Sequence, residues 1–278
     1  MRLSPTDGYE AAKMIGDRTR LAYRSGYNKE SRFPRRLLLN SLDTIHRLGG
    51  ARFVQSLVQE LVAYALYVPT HQGMTFRVGE RAIPYLQWPT HTERAIEIPF
   101  ALRRARDYLS GGGRCLEVGN VLNHWSPFSH DVLDKYEQAA GVINEDVTQF
   151  RPTSRYDLVV SVSTLEHVGY DEEVRTPGKV LVAARSLYDK CLVDGGHMVV
   201  TFPLGYNPSA DRLIVTDPFS RGQVSVLRRQ SSLNLWQEIA CPDPENLDPT
   251  LLYDRGLFVG ANAVALCDVA KTSREDDR

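Results

Sequence analysis

The chain has 278 residues, of which 33 are basic and 34 acidic, for a formal charge of −1. A chain this long buries about three quarters of its unfolded surface, so one large domain, or one with an appendage, can hold a sizeable core. The balanced charge offers no field for nucleic acid or an anionic membrane, and no run approaches the roughly 18 apolar residues of a membrane span, so neither partner is expected. Cys115, Cys191, Cys241 and Cys267 are widely spaced with no Cys-x-x-Cys. That spacing points to neither a metal site nor a disulfide framework and suits a reducing compartment. The start Met1-Arg2-Leu3-Ser4-Pro5 lacks the apolar core of a signal peptide, so a soluble, cytoplasmic protein is expected.

Residues 6–68 read as helical, with Leu37-Leu38-Leu39 and then Phe53, Leu57, Leu61 and Ala65 spaced to lie on one face. Such a face needs a partner surface, either as a lid or as a homodimer contact. Arg18, Arg20, Arg24, Arg32, Arg35 and Arg36 make this segment basic, as a solvated helical face usually is. Pro69 is expected to end it, and residues 74–84 alternate about a glycine-containing turn as a small hairpin does. Residues 92–99 lead into a helix carrying Phe100, Leu102, Arg103 and Tyr108, stopped by Gly111-Gly112-Gly113. The division expected is residues 1–92 as a helical region with a hairpin, 93–270 as a Rossmann-like domain, and 271–278 as a charged, disordered tail.

Cys115-Leu116-Glu117-Val118 is a short buried strand closed by Gly119 and Asn120. An acid at a strand's end followed by a glycine that lets the backbone turn tightly makes a shelf for a polar, ribose-bearing ligand. Residues 130–134 form a second strand ending in Asp134, seventeen positions after Glu117, near the roughly 20-residue separation at which a βαβ unit delivers a carboxylate to a ribose diol. A third acid, Asp146, follows residues 142–145. The apolar, β-branched stretches 156–163 and 196–202 read as central parallel strands. Residues 225–238 are polar with spaced apolar positions, either a strand or a helix over the site. Strands alternating with helices place any ligand beyond the strands' carboxyl ends.

Within residues 116–169, Glu-Val-Gly-Asn-Val-Leu, Asp-Lys-Tyr-Glu, Tyr-Asp-Leu-Val-Val-Ser-Val-Ser and Thr-Leu-Glu-His-Val-Gly resemble class I S-adenosylmethionine-dependent methyltransferases, in a loosely characterised branch of small-molecule and glycan-modifying enzymes. The resemblance spans about residues 93–208. It implies an α/β, Rossmann-like, seven-stranded, mostly parallel sheet with helices on both faces, closed by an antiparallel hairpin for which residues 251–270 are suited. It implies S-adenosylmethionine as cofactor. Gly119 then contacts the methionine portion, Asp134 accepts from both ribose hydroxyls, and Asp146 from the adenine amino group. Asn120, Val147 and Ser163 join the donor site, and Arg94 pairs with the donor carboxylate. Glu117 either holds the loop or reaches the donor's amino group through water. His167 either takes a proton from an acceptor hydroxyl or orders its loop. The acceptor implied is a small molecule, a sugar or natural-product scaffold methylated on oxygen.

Val121 and Asn123 stand where the family's second and third glycines would be. Those glycines serve a pyrophosphate, so their loss counts against a nicotinamide oxidoreductase more than against a methyl donor. A donor-binding domain that transfers no methyl group is the other reading open at this stage.

Overall fold

The computed structural model describes residues 49–86, 92–125 and 129–272. The arginine-rich segment, Leu37-Leu38-Leu39 and positions 273–278 lie outside the described residues. The first described helix, α1 (Gly50–His71), runs two residues past Pro69. A proline in the last turn breaks one backbone bond and leaves little helix to disrupt. The hairpin follows as expected, β1 (Thr75–Val78) against β2 (Arg81–Pro84), turning at Gly79 with φ of +58°.

Helix α2 (Arg94–Ser110) precedes an eight-stranded sheet made of β3 (Cys115–Val118), β4 (Asp131–Leu133), β5 (Val142–Ile143), β6 (Tyr156–Val162), β7 (Leu192–Pro203), β8 (Gln223–Arg229), β9 (Trp236–Ile239) and β10 (Ala263–Ala270). Their order is β5-β4-β3-β6-β7-β10-β8-β9. The first five are parallel. β10 lies antiparallel between β7 and β8, and β9 adds an eighth, edge strand antiparallel to β8. The mixed α/β, mainly parallel, Rossmann-like class therefore holds, with one strand more than expected. Residues 225–238 supply the β8–β9 hairpin, whereas 251–270 supply a loop and the single strand β10.

Successive residues of a strand face opposite ways, which divides the core in two. Leu116, Val118 and Val159 pack against Val180, Ala183 and Ala184 of α3 (Lys179–Ser186). Leu158, Val160, Val162 and Val199 pack against Ala95, Ile96, Ile98 and Ala101 of α2. Ile96, Ile98, Phe100 and Leu102 are all buried, and at about 1.5–3 kcal/mol each they pin α2 firmly across the sheet. The same apolar cluster takes in Tyr67, Phe76, Ile83, Tyr85 and Trp236. Residues of α1 and of the β1–β2 hairpin thus share a core with the sheet. The outer face of α1 remains open, with Leu57 and Leu61 exposed, while Arg52, Gln55 and Gln59 bond backbone carbonyls of residues 255–259. No helix among the described residues is long and apolar enough to cross a membrane.

Two details differ from expectation. Between β3 and β4 the described residues form only a 3-10 turn, Leu122–His124, in place of the crossover helix. At the far end, Lys271 is ordered: its backbone bonds Gly195 and Gly196 and its Nζ the carbonyls of Asp189 and Leu192.

Candidate functional site

The chain enters the sheet at β3, moves outward through β4 and β5, then returns to β6 on the other side of β3. Ligands of open α/β sheets sit at such a reversal, beyond the strands' carboxyl ends. A cleft partly open to solvent lies there, and Gly119, Asp134, Asp146, Val147 and His167 all line it. Gly119 has φ of +86°, and a Cβ on it would fall 2.2 Å from Thr164 Oγ1. Only glycine lets the β3 loop and the β6 loop approach this closely.

Asp134 follows β4 directly. Its Oδ1 accepts from the backbone N–H groups of Tyr136 and Glu137 at 2.8 and 2.9 Å, an Asx-type turn that fixes the carboxylate. Oδ2 takes no hydrogen bond among the described residues. Asp146 is differently placed. Oδ1 accepts from Thr148 N and Oγ1 at 3.0 and 2.7 Å, and Oδ2 from Lys135 and Lys179 at 3.0 and 2.7 Å. A carboxylate offers about four acceptor positions, and all of these are taken. Burial works against its charge, but Lys179, Thr148 and Lys135 outweigh that and hold Asp146 well below the usual carboxylate range. Both lysines also pair with Glu172. Lys179 and Glu172 escaped the sequence reading because they lie in a separate helix and loop.

Four residues placed at the donor site from the sequence are not among those lining the cleft. Glu117 points to the opposite face and is fully buried. Its Oε1 accepts from the backbone of Val121 and Leu122 at 2.7 and 2.6 Å, and its Oε2 pairs with His130 Nε2 at 2.7 Å. Glu117 therefore holds the loop, which is the first of the two roles weighed for it. Asn120 donates to Glu137 at 2.6 Å. Ser163, at φ of +40°, donates to Glu97 at 2.6 Å. Arg94 bonds Glu97 at 3.0 Å and the carbonyl of Val162 at 3.3 Å.

Beside the cleft, at the ends of β6 and β7, His167 Nδ1 bonds Asp171, and Tyr206 donates to the same carboxylate. Tyr206 meets the imidazole edge-on, centroids 5.0 Å apart. The His167 side chain is 47% exposed, so Nε2 can meet both a ligand and solvent. Burial disfavours its charged form, but the Asp171 hydrogen bond and the Glu166 charge outweigh this and raise it above the ordinary 6.5. Glu166 is buried, and its carboxyl is pushed up to about 7 chiefly by that burial.

For S-adenosylmethionine, the residues present fit in two respects. Asp134 Oδ2 is a free acceptor for a ribose, and Val118, Leu133, Val147 and Val168 give apolar walls for a ring. In a third they do not: Asp146 has no position left for an adenine amino group while both lysines hold it.

No family model and no curated protein matches the chain. Among solved structures it is similar to the N-methyltransferase NodS from Bradyrhizobium japonicum WM9 with S-adenosyl-L-homocysteine, at 14% identity over 65% of this chain and 92% of that one, TM-score 0.38. It is similar to the sugar N-methyltransferase KedS8 from Streptoalloteichus at 13% identity over 65% of this chain and 89% of that one, TM-score 0.32. A possible exported protein from Bordetella parapertussis covers 98% of this chain and is itself wholly covered, at 12% identity and TM-score 0.32. Scores of this size show no shared activity, and the functional reading rests on the site itself.

Proposed function

We propose that this chain is an S-adenosylmethionine-dependent methyltransferase acting on a hydroxyl of a small molecule such as a sugar or natural-product scaffold. The observation that carries the reading is the meeting, in one cleft at the sheet's reversal point, of Gly119, the half-free Asp134 carboxylate and the Asp171-bound His167. When bound, the donor supplies an electrophilic methyl group on a sulfonium. Asp134 Oδ2, with Oδ1 held by the backbone of Tyr136 and Glu137, keeps its own lone-pair positions to accept from the ribose hydroxyls. His167, with Nδ1 committed to Asp171, keeps Nε2 for the acceptor's hydroxyl proton, a form of general-base help worth about 10²–10⁴-fold. Methyl transfer demands in-line geometry in a dry site more than acid strength. The aromatic wall of Tyr206 beside His167 serves that end.

Calorimetric titration with S-adenosylhomocysteine tests the donor half. Saturable binding by the wild type, weakened about 10-fold or more in Asp134→Ala, is the expected result, since a hydrogen bond to a charged group contributes about 1.5–3 kcal/mol. Formation of S-adenosylhomocysteine from the donor and a panel of polyhydroxylated acceptors tests transfer. A second reading, donor binding without transfer, draws support from the fully engaged Asp146, and on it no product forms with any acceptor. Saturable NADH binding without donor binding would overturn both.

A further inference from the structure

Glu166 has no part in the donor site, yet it sits where proton transfer is assigned. Its side chain is 2% exposed, its Oε1 lies 3.7 Å from His167 Nε2, and its Oε2 has no hydrogen-bond partner among the described residues. The backbone carbonyl of the same residue accepts from the buried Asn207 side chain at 2.7 Å, so the main chain is held independently of the carboxylate. The charged and titratable groups that face this pair are Arg94 and Glu97 from α2, Asp171 from the following turn, and Tyr206 from the loop after β7. A buried carboxylate with an unused oxygen is costly. The cost has a use if a positive charge forms beside it during turnover.

We infer that Glu166 is a positioning residue that stabilises the imidazolium formed at His167, facing Nε2 while Asp171 holds Nδ1. The inference rests on the reading of His167 as proton acceptor. In that step the acceptor's O–H bond breaks and an N–H bond forms at Nε2. The electron pair stays on oxygen and would enter the new O–C bond as the methyl carbon's bond to the donor's sulfonium breaks, that pair going to sulfur, and the imidazolium later yields its proton to water through its exposed edge. Above pH about 7, where Glu166 is ionised, a neutral imidazole lies between two carboxylates before the step, Asp171 at Nδ1 and Glu166 near Nε2. After it, a cation lies between the same two. Low local dielectric makes such a contact stronger than it would be in water.

The test is an NMR titration of the full chain carrying ¹⁵N-labelled histidine side chains, with the His167 signal assigned by its loss in His167→Gln. In Glu166→Gln the His167 midpoint should fall by about one pH unit, or ~10-fold less imidazolium at a fixed pH. The two-step curve of a coupled pair should also collapse to one step. Glu166→Asp, which keeps the charge but withdraws it, should fall part of the way, and it serves as the measure if the glutamine variant does not fold. An unchanged or raised midpoint in the folded variant overturns the inference. Donor binding is read separately by calorimetry with S-adenosylhomocysteine on the wild type: its absence sinks the methyl-donor reading and leaves the titration result standing, and the converse also holds.

Discussion

Gly119 carries two independent demands, and a single substitution separates them. An alanine there would hold a left-handed backbone, costing about 1–2 kcal/mol, and would press its Cβ to 2.2 Å from Thr164 Oγ1 and 2.8 Å from Thr164 Cγ2, an overlap costing about 1–3 kcal/mol more. Gly119→Ala should therefore lower unfolding free energy in urea by about 2–5 kcal/mol. Adding Thr164→Ala removes the two nearest atoms, leaving only Thr164 Cβ at 3.0 Å, and should recover most of the steric share while leaving the backbone share. Equal losses in the single and double variants would mean that the approach of the two loops is not what demands glycine. His167 makes a second, kinetic claim at this scale. Its raised pKa means that the free base appears only above the ordinary 6.5, so kcat/KM should climb with pH on the alkaline side of that value. His167→Gln should lower kcat by about 10²–10⁴-fold and abolish the climb. A profile flat from pH 6 to 9 in the wild type would leave His167 as a loop-ordering residue.

At the scale of elements, one buried acid joins three of them. Glu97, in the first turn of α2, accepts from Ser163 at the end of β6, from Thr201 near the end of β7 at 2.8 Å, and from Arg94 on its own helix. It is wholly buried, so removing it takes away one acceptor of Arg94 and the Glu97 acceptor of two hydroxyls. Glu97→Ala should cost about 3–5 kcal/mol by urea denaturation, and Glu97→Gln, which keeps the hydroxyl contacts, clearly less. Equal costs would place the stabilisation in packing and not in the hydrogen bonds. The same scale shows what the sequence made legible. β3, β6 and β7 were readable because strands covered on both faces carry near-continuous apolar runs. The β1–β2 hairpin was readable from alternation about a glycine. Residues 251–270 misled because two apolar runs around Gly260 look like paired strands. The first run is instead held as a loop by side chains: Asn262 Nδ2 donates to the carbonyls of Leu252 and Phe258, and Asp254 accepts from Gly260 N. Side-chain bonding of backbone follows no periodicity and leaves no pattern to read. At the site, Asp134 and His167 stood at strand ends and were visible, whereas the saturation of Asp146 depends on Lys179, thirty-three positions away.

For the whole molecule, the two halves of the core bury ionisable groups of opposite consequence. Burial raises Glu166 to about 7 and Asp211 to about 6, against ordinary values of 4.5 and 3.8. The folded state thus binds more protons than the unfolded one in this window, so stability from these groups is full below the ordinary values and is lost as pH rises through about 6 and about 7. His71 works the other way. Stacked on Tyr67 at 3.9 Å and bonded to the carbonyls of Tyr67 and Asn234, it is lowered by burial from 6.5, and its contribution is present above 6.5 and lost as pH falls through the folded value. Wild-type stability between pH 5 and 8 is therefore a sum of opposed slopes, and a variant shows what the sum conceals. Glu166→Gln deletes one downward slope and should gain stability at pH 8 relative to pH 5 by on the order of 3 kcal/mol over the wild type, from the 4.5-to-7 interval at about 1.4 kcal/mol per unit. Unfolding free energies in urea for both proteins at both pH values give the double difference. A value near zero would mean that Glu166 ionises in the folded protein as freely as in water, and that its unused Oε2 is solvated.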